Sequence, residues 1–265
     1  MYPELAGQVA VITGAGRRGG LGAAMALRLA AEGARVVLAD QSDSADMQAL
    51  LSAIKTSGGQ GLGVACNMLD GAAIEALFVQ TDQTIGAVDI LVNNAGVGTI
   101  MKPIVEMTLH EWDTVLGVNL RGVFAATQAA ARRMIKAGHG GRIVNIASQA
   151  AKSGFPHAAA YCASKHGLLG LTRVAAIELA AQRITVNAIC PNHVTTGLGA
   201  WQNEYFAKLL GKTVEQYLAD MAARIPLGRP GLPGDTANAC AFLCSDQAQY
   251  ITGEALNVSG GEEMH

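Results

Sequence analysis

Seven short, β-rich runs alternate along this chain with longer stretches of helical spacing, and that alternation leaves few folds open. The runs are Gln8–Thr13, Arg35–Ala39, Gly61–Ala65, Asp89–Val92, Arg142–Ala147, Ile184–Ile189 and Ala255–Val258. Between them apolar residues recur at helical spacing, as do Leu21, Met25 and Leu29, and a long helical pattern covers Leu109–Ala137. Each run is therefore followed by a crossover, and crossovers make neighbouring strands parallel. A parallel sheet has both faces covered, so its strands read as nearly continuous apolar runs, as Ile90-Leu91-Val92 and Ile143-Val144-Asn145-Ile146 nearly do. The expected architecture is α/β, a doubly wound fold around a seven-stranded parallel sheet. No repeat, low-complexity tract or Pro/Ser linker divides the chain, so residues 1–265 are read as a single domain.

Composition narrows the function classes. Half of the 265 residues are hydrophobic and only 15% are charged, which supplies a large aliphatic core and excludes global disorder. Nineteen basic against 21 acidic residues give a net charge of −2, without a basic run, so nucleic-acid binding by phosphate neutralisation is not expected. The longest stretch without a charge, between Arg183 and Glu204, is interrupted by Asn187, Pro191, Asn192, His193 and Gly197, and does not read as a membrane span. No basic residue precedes Arg17, which argues against a secretory signal. Cys66, Cys162, Cys190, Cys240 and Cys244 are scattered and odd in number, as buried thiols in a reducing compartment would be. Neither they nor the six histidines show metal-ligand spacing. A cytoplasmic protein without a metal is expected.

The first strand runs into Thr13-Gly14-Ala15-Gly16-Arg17-Arg18-Gly19-Gly20-Leu21-Gly22, and an amphipathic helix follows. Glycines there let the backbone turn tightly and approach a pyrophosphate, whose charge is held by free amides at the helix N-terminus. Asp40 closes the second strand eighteen residues after Gly22, where a carboxylate accepts hydrogen bonds from the adenosine ribose and repels a 2′-phosphate. The combination is Rossmann-like. Arg17 and Arg18 pull the other way, because a guanidinium in this loop could receive that phosphate instead.

Tyr161-Cys162-Ala163-Ser164-Lys165 opens a helical segment reaching to about Ala181, which puts Tyr161 and Lys165 on one face a single turn apart. Ser148 follows the fifth run and lies thirteen residues before Tyr161. A strand end and a helix start thus bring hydroxyl and phenol to the carboxyl edge of the sheet, where open α/β sheets bind ligands.

With these residues the chain resembles a short-chain dehydrogenase/reductase over essentially its whole length. The matching pieces are Thr13 to Gly22, Asn93-Asn94-Ala95-Gly96, Asn119, Ser148, Tyr161 with Lys165, Asn187 to Thr196, and Ile251-Thr252-Gly253 before Gly260-Gly261. The resemblance implies that Tyr161 is the general acid/base, that Ser148 orients the substrate oxygen, that Lys165 holds the nicotinamide ribose and lowers the tyrosine pKa, and that Asn119 helps a water relay. It further implies cofactor contacts from Gly14, Gly16, Gly20, Leu21, Gly22, Asp40, Asn67, Met68, Asn94, Ala95, Gly96, Pro191, Val194 and Thr196, and a homotetramer paired through the long helices.

The chain departs from the family pattern in places. Two extra residues lengthen the glycine motif, so that its last Gly-x-Gly is Gly20-Leu21-Gly22. Asn67 stands where the family usually carries an acid, and Asn192 replaces the usual glycine after Pro191. The segment 197–224 is expected to cover the substrate, with Trp201 on it. Gln149, His157, Asn192, His193, Gln202 and Asn203 are candidate polar substrate contacts, a set that suits a polyhydroxylated molecule. The leading expectation is therefore hydride transfer between NAD and a secondary alcohol of polyol or sugar-like kind. An NADPH-dependent reductase of ketones or 3-oxoacyl thioesters and a non-catalytic nucleotide-sensing protein stand as alternatives.

Overall fold

The computed structural model describes residues 1–195 and 197–264. Its strands are β1 Val9–Thr13, β2 Arg35–Asp40, β3 Gly61–Ala65, β4 Ile90–Asn93, β5 Gly141–Ile146, β6 Ile184–Pro191 and β7 Ala255–Val258. They form one parallel sheet in the order β3-β2-β1-β4-β5-β6-β7. All seven expected strands are present, β3 and β7 with the expected bounds and the others with ends shifted by one or two residues. The helices are α1 Leu21–Ala31, α2 Ala45–Thr56, α3 Gly71–Thr84, α4 Leu109–Leu116, α5 Val123–Ala137, α6 Ala159–Leu179, α7 Leu198–Leu209, α8 Val214–Arg224 and α9 Pro233–Cys244.

Side chains alternate between sheet faces, and the two faces form two cores. On one face Ala10, Ile12, Val36, Leu38, Val92 and Ile146 pack with Met25 and Leu29 of α1, Met47 of α2 and Cys240 and Leu243 of α9. On the other, Val9, Val11, Val37, Leu91, Ile143 and Val186 pack with Phe78 of α3, Met134 of α5 and Ala176 of α6. Burial on both faces is why the central strands have no polar alternation to show in the sequence.

The stretch expected as one helix from Leu109 to Ala137 is a rod of three parts. Thr108 starts α4 with a reciprocal cap to Glu111, and a π-helical turn over Gly117–Gly122 joins α4 to α5. The wide turn lies against the chain after β3, for a Cβ on Gly122 would stand 2.5 Å from the Met68 carbonyl oxygen. Asn119 sits inside that turn.

Strand order reverses direction between β1 and β4, and the crossovers leave a crevice outside the carboxyl ends of the strands at that point. β1, β4, β5 and β6 end there at Thr13, Asn93, Ile146 and Pro191.

Candidate active site

A cleft of about 790 Å³ opens along this edge. Gly14, Gly20, Leu21, Gly22, Asp40, Met68, Asn94, Ala95, Gly96, Pro191 and Val194 line it together with Ser148, Tyr161 and Lys165. Most of the contacts expected from sequence thus meet in one place.

The turn after β1 has no room for side chains. Gly14 has φ 65°, and a Cβ on it would stand 2.7 Å from Ala95 Cα. A Cβ on Gly22 would lie 2.3 Å from the Gly14 carbonyl oxygen. The Asn94 amide clamps the turn by donating to the carbonyls of Thr13 and Gly14, both at 2.9 Å. The Thr13 hydroxyl accepts from the backbone N–H of Asn94 and Ala95 at 3.0 and 3.1 Å. Gly20 is the N-cap of α1 and no side chain caps that end, so its amides remain for an anion.

Asp40 is fixed by backbone: Gly16 N–H donates to its Oδ2 and Gln41 N–H to its Oδ1, each at 2.8 Å. Gly16 serves by holding Asp40 and does not itself line the cleft. The two arginines part company. Arg18 pairs with Asp46 at 2.9 Å, whereas Arg17 lines the cleft, as Asp40 and Gln41 do. Asn67 is exposed, and its Oδ1 accepts from its own Leu69 N–H at 3.0 Å; its neighbours Cys66 and Met68 line the cleft in its stead. Thr196 lies outside the described residues.

The catalytic candidates converge. Tyr161 lies in the first turn of α6, 9% exposed, with the Ser148 side chain close enough to its phenol to favour the ionised form. Ser148 Oγ accepts from Ala150 N–H at 3.1 Å, which fixes the serine at the end of β5. Lys165, one turn after Tyr161, holds its Nζ 5.8 Å from the Tyr161 ring centre and donates to the Ile146 carbonyl at 2.7 Å. Burial lowers the Lys165 pKa to about 8. Burial also raises the Tyr161 phenol above its ordinary value, with Ser148 opposing it. The depressed tyrosine pKa expected from Lys165 is therefore not met by the protein alone, because desolvation of the phenol outweighs the rest. Asn119 is fully buried; its Oδ1 accepts from Val97 N–H at 2.7 Å and its amide donates to the Val97 carbonyl at 2.9 Å and to Ser164 Oγ at 3.1 Å. With both ends of its side chain committed, Asn119 braces the loop after β4 against α6.

The candidate substrate contacts divide. Gln149, Asn192 and His193 line the cleft, but each is tied to the segment near the C-terminus. Gln149 donates to Glu263 at 2.5 Å, Asn192 donates to Glu262 at 2.6 Å, and His193 stands 3.0 Å from Glu262. Burial holds His193 below its ordinary pKa despite Glu262. His157 and Trp201 do not line the cleft. His157 shares a 2.7 Å hydrogen bond with the Tyr205 hydroxyl, and Trp201 stacks on Tyr205 with ring centres 5.4 Å apart. They stiffen α7 from behind. Within the expected cover, Leu198, Asn203, Phe206, Leu209, Leu210, Tyr217 and Arg224 reach the cleft.

The dinucleotide fits these residues: uncapped amides at α1, a glycine turn without room for Cβ atoms and a carboxylate fixed by two amides are the features such a ligand needs. Sequence reasoning missed Gln41, Cys66 and Glu262 and gave Thr13, quoted with the glycine motif, no role of its own. Only Thr13, at the end of an apolar run and next to the glycines, left a signal.

Residues 14–263 match a family model described as enoyl-(acyl carrier protein) reductase. A short-chain dehydrogenase/reductase of Armillaria gallica is 38% identical over 259 residues, 96% of this chain and 95% of that one. Among solved structures, NAD+-bound xylitol dehydrogenase is similar at TM-score 0.90 and 32% identity, covering 97% of this chain and 100% of that one. The actinorhodin polyketide ketoreductase with NADPH is similar at TM-score 0.92 and 36% identity, covering 97% and 98%.

Proposed function

The chain belongs to the short-chain dehydrogenase/reductase family, and we propose that it is an NAD-dependent dehydrogenase/reductase of secondary alcohols. The observation that carries the reading is Tyr161 beside Ser148 and Lys165, in the same cleft as the fixed carboxylate of Asp40. The glycine turn and α1 would hold the pyrophosphate, Asp40 the adenosine ribose and Lys165 the nicotinamide ribose. When bound, the nicotinamide supplies the hydride acceptor or donor and, oxidised, a positive charge. Tyr161 takes the hydroxyl proton of the alcohol, and Ser148 holds the oxygen as it gains carbonyl character. Lys165, anchored by the Ile146 carbonyl, keeps a positive charge near the phenol and favours phenolate. Asn119 keeps the loop after β4 in place.

Preference for NAD rests on Asp40 and on the engagement of Arg18 by Asp46, which leaves Arg17 as the guanidinium of this pair on the cleft. The NADPH-dependent reductase has Arg17 in its favour and Asp40 against it. A non-catalytic nucleotide sensor would have no use for the intact catalytic set. For a polyol or sugar-like substrate the cleft gives mixed support: Asn192, His193 and Gln202 bond to protein partners and so does the Gln149 amide, whereas the buried Gln149 Oε1 has no partner among the described residues. The homotetramer and the cytoplasmic location belong to the same proposal. A panel of apolar alcohols, polyols and the matching ketones, each run with NAD and NADP, tests it: turnover of secondary alcohols with NAD is expected. Absence of turnover with either cofactor rejects it.

A further inference from the structure

The cleft has an apolar wall of Val97, Met101, Phe155, Leu198, Phe206 and Leu209, beside polar residues that are engaged with the protein, namely Asn192, His193, Gln202, Arg224 and Glu262. Such a wall favours carbon over hydroxyl groups, since each hydroxyl buried against it without a partner is penalised. Two polar side chains of α7, Gln202 and Asn203, also line the cleft. Helical spacing puts Gly199, Asn203 and Phe206 on one face of α7, and all three line the cleft, as does Leu210 just after the helix. Asn203 is 7% exposed, and among the described residues its carboxamide has no hydrogen-bond partner. The contrast with its neighbour is plain, for the Gln202 amide donates to the Gly98 carbonyl at 3.2 Å. Asn203 lines the cleft, so a ligand there is placed to supply that partner.

Resting on the reading of this cleft as an alcohol dehydrogenase site, we propose that Asn203 determines specificity by binding a second polar group on an otherwise apolar substrate. The substrate class is a bulky secondary alcohol with an apolar skeleton and one further hydroxyl or carbonyl. Tyr161 and Ser148 receive the reacting oxygen, the apolar wall receives the skeleton, and the carboxamide donates to or accepts from the distant group.

The test compares kcat/KM for cyclohexanol, the cyclohexanediols and sorbitol at saturating NAD, in the unmodified enzyme and in Asn203→Leu. At least one cyclohexanediol should exceed both cyclohexanol and sorbitol. Asn203→Leu should lower the diol-to-cyclohexanol ratio by about tenfold, the size of one well-made hydrogen bond, with NAD affinity unchanged. An unchanged ratio, a preference for sorbitol, or a loss of NAD affinity that marks Asn203 as a cofactor contact overturns the proposal. If the leucine variant does not fold, Asn203→Ser reads the same ratio. A calorimetric arm is independent of turnover: Tyr161→Phe loaded with NADH is titrated with hydroxycyclohexanone and cyclohexanone, with and without Asn203→Leu. Discrimination that depends on Asn203 in this arm, without turnover by the unmodified enzyme, upholds the role of Asn203 and rejects the dehydrogenase reading. Equal binding of the two ketones overturns the proposal.

Discussion

Tyr161 carries the account at the scale of single residues. Burial raises its pKa, so the free protein holds it as a phenol, and the charges brought near it by the reaction decide when it gives up its proton. Tyr161→Phe removes only the oxygen that moves the proton. Turnover should fall by about a hundredfold or more while NAD affinity measured by calorimetry stays near its original value. Retention of a tenth of kcat would rule Tyr161 out as the acid/base. Lys165 makes a second prediction through stability. Its folded pKa of about 8 lies below its ordinary 10.5, so between these pH values the unfolded chain binds more protons than the folded one. The contribution of Lys165 to stability therefore rises with pH across that window, and below it the buried charge is a cost. Denaturant unfolding of the cofactor-free protein should show this rise, and Lys165→Met should lack it. A rise of equal size in the variant would show that other groups cause it.

Elements explain how the residues reach their places. The glycine turn and the capless start of α1 leave backbone amides, not side chains, as the ligand groups, which is why this part of the site was legible from glycine spacing alone. The π-helical turn was not legible. Leu109–Ala137 reads as continuous helix, and nothing in its periodicity shows the wider turn that lodges Asn119 between the loop after β4 and α6. Gly122→Ala tests its importance, because the added carbon would stand 2.5 Å from the Met68 carbonyl and must displace one of the two segments. A loss of about 1–3 kcal/mol in stability is expected, together with reduced kcat, since either Asn119 or the Met68 edge of the cleft must move. Full activity and unchanged unfolding would mean that the turn tolerates the substitution. The buried chain from Thr127 through Asn93 and Asn145 to Thr172 also escaped notice, for it ties β4 and β5 to two helices by contacts between distant positions.

On the scale of the whole molecule, the seven strands and their parallel pairing followed from alternation of apolar runs and crossovers, and the catalytic set from the order of motifs. What sequence could not show is where loop side chains spend their hydrogen bonds. Gln149, Asn192 and His193 read as free polar groups until folding brings Glu262 and Glu263 against them, and His157 likewise meets the distant Tyr205, whereas Asn67 and Trp201 find partners two and four residues along the chain. Beyond the monomer, Phe124 of α5 and Val174 and Ile177 of α6 are left 50%, 53% and 79% exposed. Burial of such residues in a helix-to-helix interface is consistent with the proposed homotetramer. Light scattering at micromolar protein should return four times the chain mass, and Ile177→Glu should lower it; a monomer would contradict the proposal.

The most direct measurement is the ratio of kcat/KM for NAD to that for NADP, taken with one accepted secondary alcohol in the unmodified enzyme and in Asp40→Ser. An ionised carboxylate fixed by Gly16 and Gln41 both accepts the ribose hydroxyls and opposes a 2′-phosphate, effects together worth roughly 2–4 kcal/mol. The account predicts a preference for NAD of roughly thirty- to a thousandfold, collapsing in Asp40→Ser as NAD weakens and NADP is admitted. Equal use of NADP by the unmodified enzyme would contradict it and assign the phosphate to Arg17.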